Sequence, residues 1–113
     1  MKKSNLSDFV RGWIVGNFSP TLYDKDYEIG FKFYKNGDYE KSHKHDLSDE
    51  VTIVLYGQVE MNGDLYSEGD IVTQEKGEFT DFKCVSDRAI TAIYRPDGSF
   101  PNDKKFAGDK ATE

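Results

Sequence analysis

The sequence predicts an all-β domain, a sandwich or barrel of short antiparallel strands. Apolar residues recur with a period of two, and beyond the first eight residues no stretch follows the helical period of about 3.6. Turn-forming pairs such as Gly69-Asp70 and Lys76-Gly77 divide the chain at roughly ten-residue intervals. Asn62-Gly63 supplies the positive φ angles that a two-residue hairpin turn demands. A chain of 113 residues has room for one compact domain. We bound that domain at 9–100, after an N-terminal segment 1–8 and before a polar C-terminal tail 101–113.

Residues 9–15 are the first strand candidate. In 27–34, Tyr27, Ile29, Phe31 and Phe33 alternate with Glu28, Gly30, Lys32 and Tyr34, an aromatic-aliphatic face backed by a polar one, as in a half-buried strand. Residues 51–56 are apolar on both faces and rich in β-branched side chains, which fits a central strand covered on both sides. Gln58–Met61 and Asp64–Ser67 flank Asn62-Gly63 as a hairpin. Ile71–Gln74, 80–85 and 90–95 complete the set, and Asp97-Gly98-Ser99 makes a turn. Phe100 and Phe106 are the large apolar groups of the last stretch, so the tail should be tied down near them and fray after Gly108.

A hydrophobic share of 36% is thin, but aromatic residues at 14% offset it because each buries a large area. With 15 basic and 21 acidic side chains the formal net charge is -6. Such a field repels phosphate, which argues against nucleic acid and anionic membrane as partners. No apolar run approaches a membrane span or a secretory leader. The lone cysteine, Cys84, has no intrachain partner, which fits a reducing, cytoplasmic setting, and it reads as core packing.

Both histidines fall in one short stretch, His43-Lys44-His45, with Glu50 close behind. On a strand, positions i and i+2 share a side, so His43 and His45 can offer nitrogens to one point while Lys44 faces away. Glu50, across a short turn, completes a face of three ligands. Two neutral imidazoles and a carboxylate suit divalent iron, manganese, nickel or zinc, with positions left open for a substrate.

Gly37, His43, His45, Glu50 and Gly57 stand at the spacing Gly-x5-His-x-His-x4-Glu-x6-Gly, and in this the chain resembles the cupin superfamily. The resemblance implies a cupin-type jelly roll, a divalent transition metal on His43, His45 and Glu50, and a small polar molecule in the barrel pocket. It also supports a homodimer. The superfamily's second signature, Gly-x5-Pro-x-Gly-x2-His-x3-Asn, is met only at Gly69 and Gly77: Glu75, Thr80 and Cys84 replace its proline, histidine and asparagine. The fourth ligand position then falls to Glu78, a carboxylate in the turn before Thr80, or to a water held by Thr80.

Candidate proton-transfer groups are Glu78, Tyr94 and Tyr56, with Tyr34 and Tyr66 as further tyrosines able to reach a barrel mouth. Arg95, at the end of a core strand, either clamps an anionic substrate or is solvated. Three readings of function follow. The first is a metal-dependent enzyme of isomerase, lyase or oxygenase type acting on a small polar metabolite. The others are a non-catalytic sensor or accessory module, and a structural interaction protein with a collapsed pocket.

Overall fold

Two sheets lie face to face in the computed structural model, which describes residues 1–108. Asn5 caps a short 3-10 helix, Leu6–Asp8, by accepting a hydrogen bond from the Ser7 amide. The strands are β1 (Trp13–Gly16), β2 (Leu22–Tyr23), β3 (Glu28–Lys35), β4 (Tyr39–His45), β5 (Glu50–Tyr56) and β6 (Gln58–Met61). They continue with β7 (Asp64–Ser67), β8 (Ile71–Gln74), β9 (Thr80–Cys84), β10 (Arg88–Arg95) and β11 (Lys104–Phe106). One sheet has the order β2-β1-β3-β10-β5-β8 and the other β11-β4-β9-β6-β7. Only β1 and β2 pair in parallel among the described strands. The all-β expectation holds.

The β6–β7 hairpin closes on Asn62 and Gly63, whose φ angles of 50° and 83° are both positive, as a type I′ turn requires. Val54, Val59, Met61, Phe82, Cys84 and Ala89 form the apolar core, with members drawn from both sheets. Tyr34, Tyr66 and Val72 pack against it.

Period two told which residues share a face, but the interior is not the face that the apolar pattern suggests. On β3 it is the polar row that turns inward: Glu28 is 2% exposed and Gly30 is buried, while Phe33 is 61% exposed. The same inversion runs through β5. Glu50, Thr52 and Val54 point inward, and Leu55 and Tyr56 lie exposed, so this strand is not covered on both sides within one chain. β5 sits between β10 and β8, second from the edge of its sheet.

Within the stretch read as tail, Lys104–Phe106 forms β11 and pairs with β4, placing Phe106 opposite His43 and Lys104 opposite His45. The expected fraying after Gly108 lies outside the described residues. No helix among the described residues is long and apolar enough to cross a membrane.

Candidate metal centre

His43 and His45 end β4 on the same face and are 4% and 3% exposed, as the i, i+2 spacing predicts. Their rings meet edge to face, with centroids 5.5 Å apart. Glu50 opens β5 in the other sheet and reaches the same point. One ligand atom from each of the three lies within 4.8 Å of the others. Lys44 leaves on the opposite face, where it pairs with Asp46 at 3.1 Å.

Hydrogen-bond partners settle the tautomers. His43 Nδ1 lies 3.0 Å from the Lys41 carbonyl, which can only accept, so Nδ1 carries the proton and Nε2 keeps its lone pair. His45 Nε2 lies 3.0 Å from Arg95 Nη2, which can only donate, so here too Nε2 holds the lone pair. His45 Nδ1 is buried without a partner. Burial, aided by the Arg95 charge and opposed by Glu50, pulls the His45 pKa from 6.5 down to about 4. The ring is therefore neutral at physiological pH, the form in which imidazole binds metal. The donor set fits a divalent ion: two imidazole nitrogens bearing lone pairs, that of His45 engaged by Arg95, and one carboxylate.

Arg95 holds this cluster together from β10. Its Nε and Nη2 donate to Glu50 Oε1 at 3.1 and 2.8 Å, and its Nη1 donates to Glu28 Oε1 at 3.0 Å. The second Glu28 oxygen accepts from Ser99 Oγ at 2.7 Å, which itself accepts from the Asn17 amide. The guanidinium carbon sits 5.0 Å from the centre of the Trp13 ring. Arg95 is not the solvated strand-end arginine that one of its two sequence readings describes: the side chain is only 12% exposed and it pairs with the protein's own carboxylates.

Gln74 pins the backbone behind the ligands, its Nε2 donating to the His43 and Glu78 carbonyls at 3.3 and 2.8 Å. Thr80 is buried directly across from His43 in the β4–β9 ladder. Its hydroxyl donates to the Asp81 carbonyl. Glu78 lies apart from the three ligands: it is exposed, and its Oε2 accepts from the Glu75 amide in its own turn. Tyr94 and Tyr56 are 42% and 54% exposed, and Tyr94 packs edge-on against Tyr27.

Tyr34 faces the cavity instead, and burial pushes its hydroxyl up to about 12. Cys84 is fully buried in the core. Glu28, Gln74, Trp13 and Lys32 are neighbours of the candidate site that sequence reasoning passed over, because nothing in an alternating pattern marks which row is interior.

A cavity of about 1050 Å³ opens beside the cluster, lined by His43, His45, Glu50, Thr80 and Arg95 together with Trp13, Lys32 and Tyr34. Trp13 enters because β3 carries glycine opposite it: a Cβ on Gly30 would lie 2.7 Å from the indole Cε3.

Solved structures share this architecture. The DMSP lyase DddQ from Ruegeria pomeroyi DSS-3 superposes over 88% of the chain with a TM-score of 0.71 at 14% identity, and the chain spans 52% of that lyase. A conserved protein with a double-stranded β-helix domain from Klebsiella pneumoniae subsp. pneumoniae MGH 78578 matches over 96% of this chain and 99% of its own, with a TM-score of 0.69 at 19% identity.

The fold is that of the cupins. Oxalate decarboxylase from Bacillus subtilis, a protein with Mn(II) centres, aligns with 76% of the chain and 25% of its own, with a TM-score of 0.66 at 21% identity. No family model matches the sequence. No curated protein matches it either. The cupin barrel here thus carries the complete first signature and a second signature whose histidine is Thr80.

Proposed function

We propose that this cupin is a metal-dependent enzyme acting on a small polar molecule, with His43, His45 and Glu50 as the metal ligands. One observation carries the reading: three buried ligand atoms converge within 4.8 Å of one another on the wall of an open cavity. The mixed nitrogen and oxygen set suits iron, manganese, nickel or zinc, and the Mn(II) centres of the decarboxylase with this fold make manganese the first choice. A divalent ion there supplies a Lewis acid for a carbonyl or carboxylate oxygen.

The chain's own groups set the rest. Arg95 must release His45 Nε2 and Glu50 Oε1 for both to serve as ligands, and its bond to Glu28 gives the guanidinium a place to stay. Tyr34 keeps its proton at neutral pH and acts in the cavity as a hydrogen-bond donor. Glu40 lines the same cavity with Oε1 3.9 Å from His43 Nε2, and it is paired with Lys104.

The open cavity speaks against a collapsed-pocket structural protein. A binding module without turnover is the second reading, favoured by Thr80 at the position of the fourth ligand. The proposal extends to a homodimer, for which the exposed apolar face of β3, β5 and β10 speaks, and to a cytoplasmic setting, which the single buried thiol of Cys84 suits.

Metal content of chelator-stripped and reloaded protein tests the site. Wild type and Lys44→Ala should each take up close to one equivalent of Mn(II), Fe(II) or Zn(II), and His45→Ala should lose most of it. Equal uptake by all three would remove the site.

A further inference from the structure

Four cationic side chains line the cavity, Arg11, Lys32, Arg95 and Lys104, in a chain whose net charge is -6. Two of them have carboxylate partners. Arg95 is bound to Glu28 and Glu50, and Lys104 to Glu40. Lys32 is different. It projects inward from the middle of β3, paired across the ladder with Thr91, and among the described residues no carboxylate forms an ion pair with it.

The Lys32 ammonium donates one hydrogen bond, to the Arg11 carbonyl at 2.7 Å, and lies 4.4 Å from the centre of the Trp13 ring. An ammonium has three donors, so two remain for a ligand. The surroundings make the charge costly: burial first, then the neighbouring Arg11, Lys104 and Arg95, opposed by Glu50, lower its pKa from 10.5 to about 8. A half-buried cation near three others gains most from an anion brought in from outside.

We propose that Lys32, flanked by Trp13, is the anion-binding residue of the cavity and that the ligand carries a carboxylate. Arg95, the obvious clamp in sequence terms, is tied to Glu28 at 3.0 Å, a pair that metal binding at Glu50 leaves in place, so recognition of the anion passes to Lys32, which has no such partner. The carboxylate rests against the ammonium, and the indole covers the apolar part of the ligand next to it. A single inward ammonium suits a singly charged carboxylate, whereas a phosphate, typically held by arginine forks or rows of backbone amides, would need the exposed Arg11 as well. This deepens the proposed function by assigning its substrate class.

Trp13 is the only tryptophan, so its fluorescence reports on this corner directly. The probes are butyrate, its neutral counterpart butyramide, and inorganic phosphate, titrated into the protein as purified and again after removal of metal by chelator. Butyrate should give a saturable change in both preparations and butyramide none. Lys32→Met should weaken butyrate binding by at least about tenfold, and Lys32→Arg should keep it within about threefold. Equal butyrate binding by Lys32→Met and wild type, a matching response to butyramide, or no saturable response overturns the assignment. Phosphate binding more tightly than butyrate overturns the carboxylate class.

Metal uptake by Lys32→Met should equal that of wild type, since Lys32 is not among the three grouped ligands. Failure of the anion site therefore leaves the metal reading standing, and failure of metal uptake in wild type leaves the chelated-protein titration interpretable.

Discussion

The two ends of the barrel interior are built from the same strands with opposite chemistry. β5 contributes Glu50 to one end and Val54 to the other, β9 contributes Thr80 and Cys84, and β10 contributes Arg95 and Ala89. The apolar end is a packed core whose members gain from leaving water. The polar end encloses Glu28, His43, His45, Glu50 and Arg95, groups that gain from being inside only while they keep one another as partners. The two ends should therefore respond differently to mutation, pH and metal.

The largest effect should come from Arg95→Ala, which strips the cation from two carboxylates whose side chains are 2% and 10% exposed. Loss of one partner of a buried ion pair costs about 3–5 kcal/mol, read by urea denaturation of the chelated protein. Adding Mn(II) should restore part of that stability by returning a cation to Glu50. A loss below about 1 kcal/mol would mean that the network is far more solvated than its geometry indicates.

Acid should attack the same end next. The folded pKa of His45, about 4, lies below the ordinary 6.5, so the unfolded chain binds the proton more tightly than the native one. The stability this confers is complete above pH 6.5 and drains away as pH falls toward about 4, amounting to at most about 3 kcal/mol. Denaturation of chelated protein at pH 7, 5.5 and 4.5 should show a steeper acid loss in wild type than in His45→Asn. Identical slopes would disprove a buried neutral His45.

At the apolar end, Val54→Ala removes two methyl groups from a residue with no exposure. The expected cost is about 2 kcal/mol, and it should be the same with or without Mn(II) and at either pH. A metal-dependent cost there would show that the two ends are not separable.

The smallest effect on a single chain should come from the outer face. Leu55→Lys, at a side chain 44% exposed, should change monomer stability by no more than about 0.5 kcal/mol. It should nonetheless shift the mass measured by light scattering from dimer to monomer. A wild-type protein that is monomeric at high concentration would remove the proposed homodimer.

Much of the polar end was legible in one dimension. The spacing of His43, His45 and Glu50 carries its own geometry, because strand parity puts i and i+2 on one side whatever surrounds them. Asn62-Gly63 was legible for a similar reason, since few other pairs accept two consecutive positive φ angles. Glu28 and Lys32 were not. Alternation assigns residues to two faces without naming the interior, and the usual inference that apolar means inside fails where a strand lines a polar cavity and presents Phe33 outward.

Thus the sequence alone determined the strand period, the hairpin, the chain's anionic balance and the grouping of His43, His45 and Glu50, all consequences of local backbone geometry and residue chemistry. Only the tertiary structure decided that Arg95 joins Glu28 to Glu50, that Gly30 admits Trp13, that β11 borders β4 and that Glu78, Tyr56 and Tyr94 lie away from the ligands. Those contacts join residues distant along the chain, and their energies depend on burial, which comes into being when the two sheets close over each other.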